Sequence, residues 1–536
     1  MSKNDIILRN PKQGALVKAT QQSQTFLTLL QQSDEQRLID ILKSINFEDT
    51  TRLISSLEHI KWTAEFIEKY AEYWVWGWGW LSCNKALPWS MELIERFETC
   101  WDWEVLSRNK ALPWSMELIE RFEDSWNWEY GGLSSNKALP WSMELIERFE
   151  ERWYWSELSR NEALPWSMEL IERFEERWYW KALSGNKALP WSIALIERFE
   201  DSWNWESLSN NKDLPWSMEL IERFEERWVW DEYEFSNGGL SGNEALPWSM
   251  ELIERFEDHW DWVKLSGNKA LPWSIELIER TEEHLKRIFI GVTDDPFALY
   301  GGAVQFYGLS SNEGLPWSME LIERFEESLN FKLLSSNEGL PWSMELIERF
   351  KTRWDWRELS DNKALPWSME LIERFEDSWK YDYYYSDSYI IREEHYGLSI
   401  NEALPWSIEL IERFVERWDF EGLSMNQAIP WSIELIERFE ERWSWWELSG
   451  NEALPWSIEL IERFEGRWYW AWELGWEKRL SVNEALPWSI DLLEKFKHKW
   501  DWRWLVYNKK VQQIFTALSV QGIEEVMDYH IKNENL

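Results

Sequence analysis

Six histidines (His59, His259, His284, His395, His498 and His530) and two cysteines (Cys83 and Cys100) are the side chains here best suited to hold a metal or attack a carbonyl. Metal sites need such ligands at close, regular spacing or from one repeated position, and none of the eight meets that requirement. No GxGxxG, phosphate loop, GxSxG or Cys/His pairing is present. Paired glutamates abound, but a general acid and base need one special environment that separates their two pKa values. These pairs recur in every copy of one short motif, which reads as a solvated face. The chemistry the sequence suggests is aromatic: 48 Trp, 24 Phe and 17 Tyr, able to fill a core, to stack on sugar rings or to anchor a partner. No enzymatic activity and no cofactor or metal are expected.

The elements that position those aromatics come from a tandem repeat. The tripeptide Pro-Trp-Ser recurs with its proline at Pro88, Pro113, Pro140, Pro165, Pro190, Pro215, Pro247, Pro272, Pro316, Pro341, Pro366, Pro405, Pro430, Pro455 and Pro487. These are 15 copies, and nine of the 14 spacings are 25 residues. The unit reads WxWxxLSxNxALPWSxELIERFE. In the copy at Pro88, Ser90 suits a helix N-cap and Glu92 and Glu95 suit the positive end of the helix dipole. Trp89 and Ile94 stand at the positions of a hydrophobic staple. With Leu93 at 0°, Phe97, Trp101 and Ile94 fall at about 40°, 80° and 100°, one apolar stripe, and Glu92 and Arg96 form an i,i+4 pair. The spacing predicts a helix from Met91 to about Trp101, roughly 16 Å long. Asp, Asn or Ser between the two tryptophans suits a turn or the cap of a second short helix.

The resulting expectation is an all-α chain: an elongated right-handed α-solenoid of about 15 tandem 25-residue repeats, spanning roughly 120–150 Å. Residues 1–73 and 505–536 would be helical caps on a repeat region at 74–504, and 1–73 carries a degenerate copy, TAEFIEKYAEYW. The competing reading is a leucine-rich-repeat-like α/β solenoid in which WxWxxLSxN is a strand and its asparagine a turn ladder. The WDWxxLSxN and ELIExF pattern, as at 101–122, resembles tryptophan-rich tandem repeats of uncharacterised bacterial proteins, with looser relatives in large DNA viruses. That resemblance covers roughly 74–504 and implies no activity.

With 98 acidic against 57 basic side chains the formal net charge is −41, which disfavours phosphate backbones and hence direct nucleic-acid binding. The ELIERFE segments alone supply about −30 of it, which keeps a Trp-rich surface in solution; a basic partner is the functional alternative. No apolar run reaches the roughly 18 residues of a membrane span and the first 30 residues lack a signal-peptide pattern, so a cytoplasmic protein without membrane contact is expected.

Five spacings exceed 25, by 2, 7, 19, 14 and 7 residues, and every insert falls after WxW and before LSxN. A continuous helix or strand could not absorb 19 residues there, so the point should be a loop on one edge, the kind of face with which repeat proteins bind. Two inserts are aromatic. One carries Phe297, Tyr300, Phe306 and Tyr307, the other Tyr383, Tyr384, Tyr385, Tyr389 and Tyr396. These nine are the candidate partner-binding residues. The position x of LSxN varies freely and is a second candidate. The expected function is a non-enzymatic protein-protein interaction scaffold, with glycan binding through exposed Trp and Tyr, or structural self-assembly end to end, as alternatives.

Overall fold

The computed structural model describes residues 32–77, 80–230, 239–281, 308–381, 383–385, 394–470 and 480–533. The chain is a helical repeat protein clustering into two compact units, Met1–Trp126 with Trp456–Leu536, and Asn127–Pro455. Among the described residues the strands are one three-residue antiparallel pair, β1 (Tyr383–Tyr385) and β2 (Glu394–Tyr396). No described helix is long and apolar enough to cross a membrane.

The copy that starts at Ser90 shows why the repeat folds as it does. Ser90 caps the helix Met91–Arg96 by accepting from the Leu93 amide at 3.1 Å. The helix stops five residues short of Trp101, because the Trp101 indole N–H donates to the Ile94 carbonyl at 3.1 Å. A side chain thereby takes the acceptor that the backbone of Glu98 would need to extend the helix. The chain proceeds through turns, with the Trp101 amide still reaching the Phe97 carbonyl at 3.2 Å. Asp102 then caps a second helix, Trp103–Leu106. In other copies the same element runs for up to six residues, as in Trp155–Arg160. WxWxxLSxN is therefore helical, and the strand alternative does not form.

Each tryptophan of this copy is pinned twice. The Trp89 indole donates to Asn84 O at 3.0 Å and its ring lies 5.0 Å from that of Trp101. Trp103 donates to Glu98 O at 3.0 Å and packs across the repeat boundary on Phe122 at 5.2 Å and Trp126 at 4.7 Å. Leu93, Ile94, Phe97 and Trp101 are buried, as the stripe predicts. The i,i+4 pairing within the helix gives way to pairing across copies. Arg96 meets Glu68, Arg121 meets Glu95 and, in the second unit, Arg173 meets Glu147 and Arg198 meets Glu172. Such exposed pairs contribute roughly 0.2–1 kcal/mol each, so they set register more than stability.

In the first unit the degenerate copy keeps the repeat's bonds. Thr63 accepts from the Phe66 amide, Trp62 donates to Leu57 O and Trp74 to Ile67 O, seven residues back as Trp101 does to Ile94 O. The flanks, expected to cap separate ends, pack on each other. Glu35 accepts from the amide of Ser519, just before helix Val520–Asn533. Arg37 bridges Asp491 and Glu494, Lys43 meets Glu525 at 2.6 Å, and the Tyr70 hydroxyl donates to Asp528 at 2.7 Å. The His530 ring stacks on Phe47 at 5.3 Å, with Nε2 3.0 Å from Leu42 O. A Cβ on Gly522 would stand 2.7 Å from the Glu35 carboxylate and 3.1 Å from Ile39 Cδ1, the ends of two side chains of the first flank.

Candidate functional site

Two residues of LSxN hold one copy to the next. Ser159 and Asn186 show it within the second unit. The Ser159 hydroxyl donates to Trp155 O at 2.7 Å and accepts from the amide of Tyr179, 20 residues on, at 3.0 Å. Its carbonyl accepts from Asn186 Nδ2, 27 residues on, at 2.9 Å, while Asn186 Oδ1 accepts from the Ala188 amide at 2.9 Å. Both side chains are buried. The asparagine ladder anticipated for a strand-based repeat is thus present without the strand, and Ser and Asn serve as clasps between copies as well as within one.

These clasps define the insertion edge. In a copy without an insert the leucine amide of LSxN reaches back four residues, as Leu158 does to Tyr154 O, and the serine hydroxyl reaches the second aromatic. The insertion point thus lies inside the short helix, contrary to the expectation of a loop in every copy. At four inserts whose two ends are described, that helix opens but its two ring-closing bonds survive. Leu133 meets Asn127 O at 2.8 Å, Leu240 meets Val229 O at 2.9 Å, Leu398 meets Lys380 O at 2.8 Å and Leu480 meets Tyr469 O at 3.1 Å. The hydroxyls follow: Ser134 to Trp128 O, Ser241 to Trp230 O, Ser399 to Tyr381 O and Ser481 to Trp470 O, at 2.6–2.8 Å. Leu81 bonds Val75 O in the same way, so a two-residue insert that proline spacing alone could not reveal precedes the first Pro-Trp-Ser.

Closure is tight. A side chain on Gly132 would meet Asn127 O at 2.0 Å, and Gly239 has φ +58 with Val229 O 2.5 Å from where its Cβ would stand. Glycine before the leucine is a steric requirement at these two exits.

Of the nine candidate residues, Phe297, Tyr300, Phe306, Tyr307 and Tyr389 lie outside the described residues. Tyr383, Tyr384 and Tyr385 form β1 and Tyr396 lies on β2, with Tyr383 opposite Tyr396, Tyr384 opposite His395 and Tyr385 opposite Glu394. Strand pairing therefore brings four of the nine into one hairpin. At its base Tyr381 takes the place of the second tryptophan, with its ring 5.1 Å from Trp418 and the Arg417 guanidinium 5.9 Å away. Burial pushes the Tyr381 phenol up to about 12, and its hydroxyl has no hydrogen-bond partner. Tyr381 belongs to the frame, not to the hairpin.

Several exposed aromatics escape a reading based on the long inserts. Tyr130, in the two-residue insert, is 76% exposed, and Tyr154, Tyr179 and Tyr469, each between the paired tryptophans of its copy, are 44%, 46% and 45% exposed. The signal is that most copies place Asp, Asn or Ser there. The described tryptophans other than Trp504, which is 40% exposed, are half-buried or buried, and most donate their indole N–H to a backbone carbonyl; Trp126 and Trp500 lack such a partner. The variable x of LSxN is exposed or half-buried, and Arg108 and Arg160 turn back on Glu104 and Glu157 of their own helices. Among the described residues no group of three or more His, Cys, Asp or Glu could hold a metal ion. Compared with models of known families, with curated proteins and with solved structures, the chain matches none.

Proposed function

We propose that the chain is a non-enzymatic interaction scaffold, in which the repeats of each unit stack as an α-solenoid and the insertion edge binds a protein. One observation carries this: inserts of different length leave the frame at the same point and return through the same two hydrogen bonds. A frame that holds its register while one edge varies in length and composition suits recognition. Exposed Tyr130, Tyr154 and Tyr179 add rigid aromatic contact area to the hairpin of β1 and β2. The acidic surface favours a partner with basic residues. Glycan stacking draws little support from the tryptophans, whose rings pack edge-on or tilted against one another. End-to-end assembly would need a free apolar end, whereas the flanks in the first unit cover each other.

The test is capture from a native-host lysate with the intact chain and with a chain in which 382–397 is replaced by two residues. A partner retained by the first and lost by the second supports the reading. No partner enriched by either, in the presence of a photo-crosslinker at Tyr130 and Tyr154, refutes it.

A further inference from the structure

In the second unit the residue directly before the first tryptophan of a copy is often an arginine that bridges two adjacent carboxylates of the copy before. Arg177 meets Glu150 at 3.0 Å and also Glu151, and Arg227 meets Glu200 at 2.9 Å and Asp201 at 2.6 Å. Arg353 meets Glu326 and Glu327 at 3.1 and 3.5 Å, and Arg417 meets Glu376 and Asp377 at 3.1 and 2.8 Å. The cation can also lie against the second aromatic of that earlier copy, as Arg353 does 4.4 Å from the Phe331 ring centre and Arg417 5.9 Å from that of Tyr381. In the first unit Lys499 takes the same place over the indole of Trp470, at 5.3 Å.

Between Arg177 and Arg227 one rung lacks its cation. Ser202 stands directly before Trp203, and the carboxylate pair one copy earlier is Glu175 and Glu176. All of 174–181 and 199–205 is described, and among the described residues no cation pairs with either carboxylate. The neighbouring cations are engaged elsewhere: Arg177 on Glu150 and Glu151, Arg198 on Glu172 and Arg227 on Glu200 and Asp201, while Lys181 lies 3.7 Å from Glu206. The aromatic wall is nevertheless intact. Trp180 lies 5.3 Å from Phe199 and 4.8 Å from Trp203, as Trp205 lies 5.3 Å from Phe224 and 4.9 Å from Trp228 on the rung that Arg227 completes. At Ser125 and Ser378 the arginine is also missing, but the copies before them carry Glu98 beside Thr99 and Lys351 beside Thr352, so no carboxylate pair is left there. Glu175 and Glu176 keep the pair and lack only its counter-charge.

We propose that Glu175, Glu176 and Trp180 form a socket for an arginine side chain of a protein partner. This deepens the scaffold reading and rests on it. The equivalent residues of other copies hold a guanidinium, and a planar guanidinium can bond two carboxylates while lying against a ring, which a compact hydrated cation does less well. Tyr179, 46% exposed and directly before Trp180, offers contact to the residue beside that arginine. The probe is arginyl-benzoylphenylalanine amide, photo-crosslinked to the full chain and mapped by mass spectrometry, with the citrullyl dipeptide as its uncharged control. The arginyl probe should label 174–181 and 199–205 about five-fold or more above the control. Ser202→Arg should remove that excess, because the rung then carries its own guanidinium, whereas Ser202→Gln should leave it. Glu175→Gln combined with Glu176→Gln should remove it without adding a cation. These side chains are exposed or half-buried, so the melting temperature should stay near that of the parent, and the two independent routes guard against a misfolded variant. Equal labelling by the two probes overturns the socket, as does labelling that Ser202→Arg leaves unchanged. A captured partner that Ser202→Arg still retains overturns the socket and leaves the scaffold reading intact. Labelling that Ser202→Arg removes, in a chain that captures no protein, supports the socket as a ligand site and refutes the scaffold.

Discussion

Asn186→Ala is the most searching test of the inter-repeat clasp. The side chain is 4% exposed, donates to Ser159 O at 2.9 Å and accepts from the Ala188 amide at 2.9 Å. After truncation the Ala188 amide, on an exposed residue, can turn to water, so that bond costs about its net value, near 1 kcal/mol. Ser159 is fully buried, and its orphaned carbonyl adds about 1–3 kcal/mol. The sum is roughly 2–4 kcal/mol. Asn186→Asp should cost more, since it turns a carboxylate oxygen toward the Ser159 carbonyl inside the protein. Repeat arrays need not unfold in one step, so urea denaturation should be read beside native-state hydrogen exchange of the amides from Leu183 to Trp191. Protection should fall there and in the preceding copy around Ser159. A loss below about 0.5 kcal/mol, the range of an indifferent surface change, would refute the clasp.

Three further outcomes are expected. Replacing Asp382–Gly397 with Ser-Glu, the pair that separates Trp155 from Leu158, should leave the melting temperature within a few degrees, because Lys380 O and Leu398 N then close an ordinary helical turn. Arg37→Glu should loosen the flanks, since it sets a carboxylate against Asp491 and Glu494 in a half-exposed site; a loss of about 1–2 kcal/mol that shrinks in high salt, read by urea denaturation, is expected. His59 contacts the backbone of Phe515 and Leu518, and burial holds its pKa below the ordinary imidazole value of about 6.5. The unfolded chain therefore takes up a proton first, so the stability His59 contributes is full above about pH 6.5 and is lost as pH falls below it. The unfolding midpoint of His59→Gln should fall less than that of the parent between about pH 7 and 5.5, and parallel curves would contradict the assignment.

The ELIERF helix was legible from sequence because its determinants lie within one turn of each other: Ser90 as cap, and Leu93, Ile94 and Phe97 as buried stripe. Its length was not, since the Trp101 indole that ends it lies on the same stripe and periodicity sees only the ring. Ser and Asn of LSxN read as local caps, and they are local partners in part; their bonds to positions 20 and 27 residues away carry no local pattern. The meeting of Arg37 with Glu494, 457 residues apart, has no signature beyond opposite charge. At the candidate site the insertion point was legible from spacing, and the aromatics that matter outside the long inserts, Tyr130, Tyr154 and Tyr179, were not, because one exposed tyrosine among many buried aromatics looks like another core residue.

Insert length is nearly free for this frame, and closure entropy explains it. The serine bond closes a span of 6 residues at Ser134 and 18 at Ser399. A cost that grows as (3/2)RT ln n separates those spans by only about 1 kcal/mol, comparable to one retained hydrogen bond. The fixed demands fall instead on the ends: a leucine amide and serine hydroxyl to close, and glycine where the exit crosses the Asn127 or Val229 carbonyl. The closing bonds themselves are made by residues of the repeat, so they are the same whether the span is short or long.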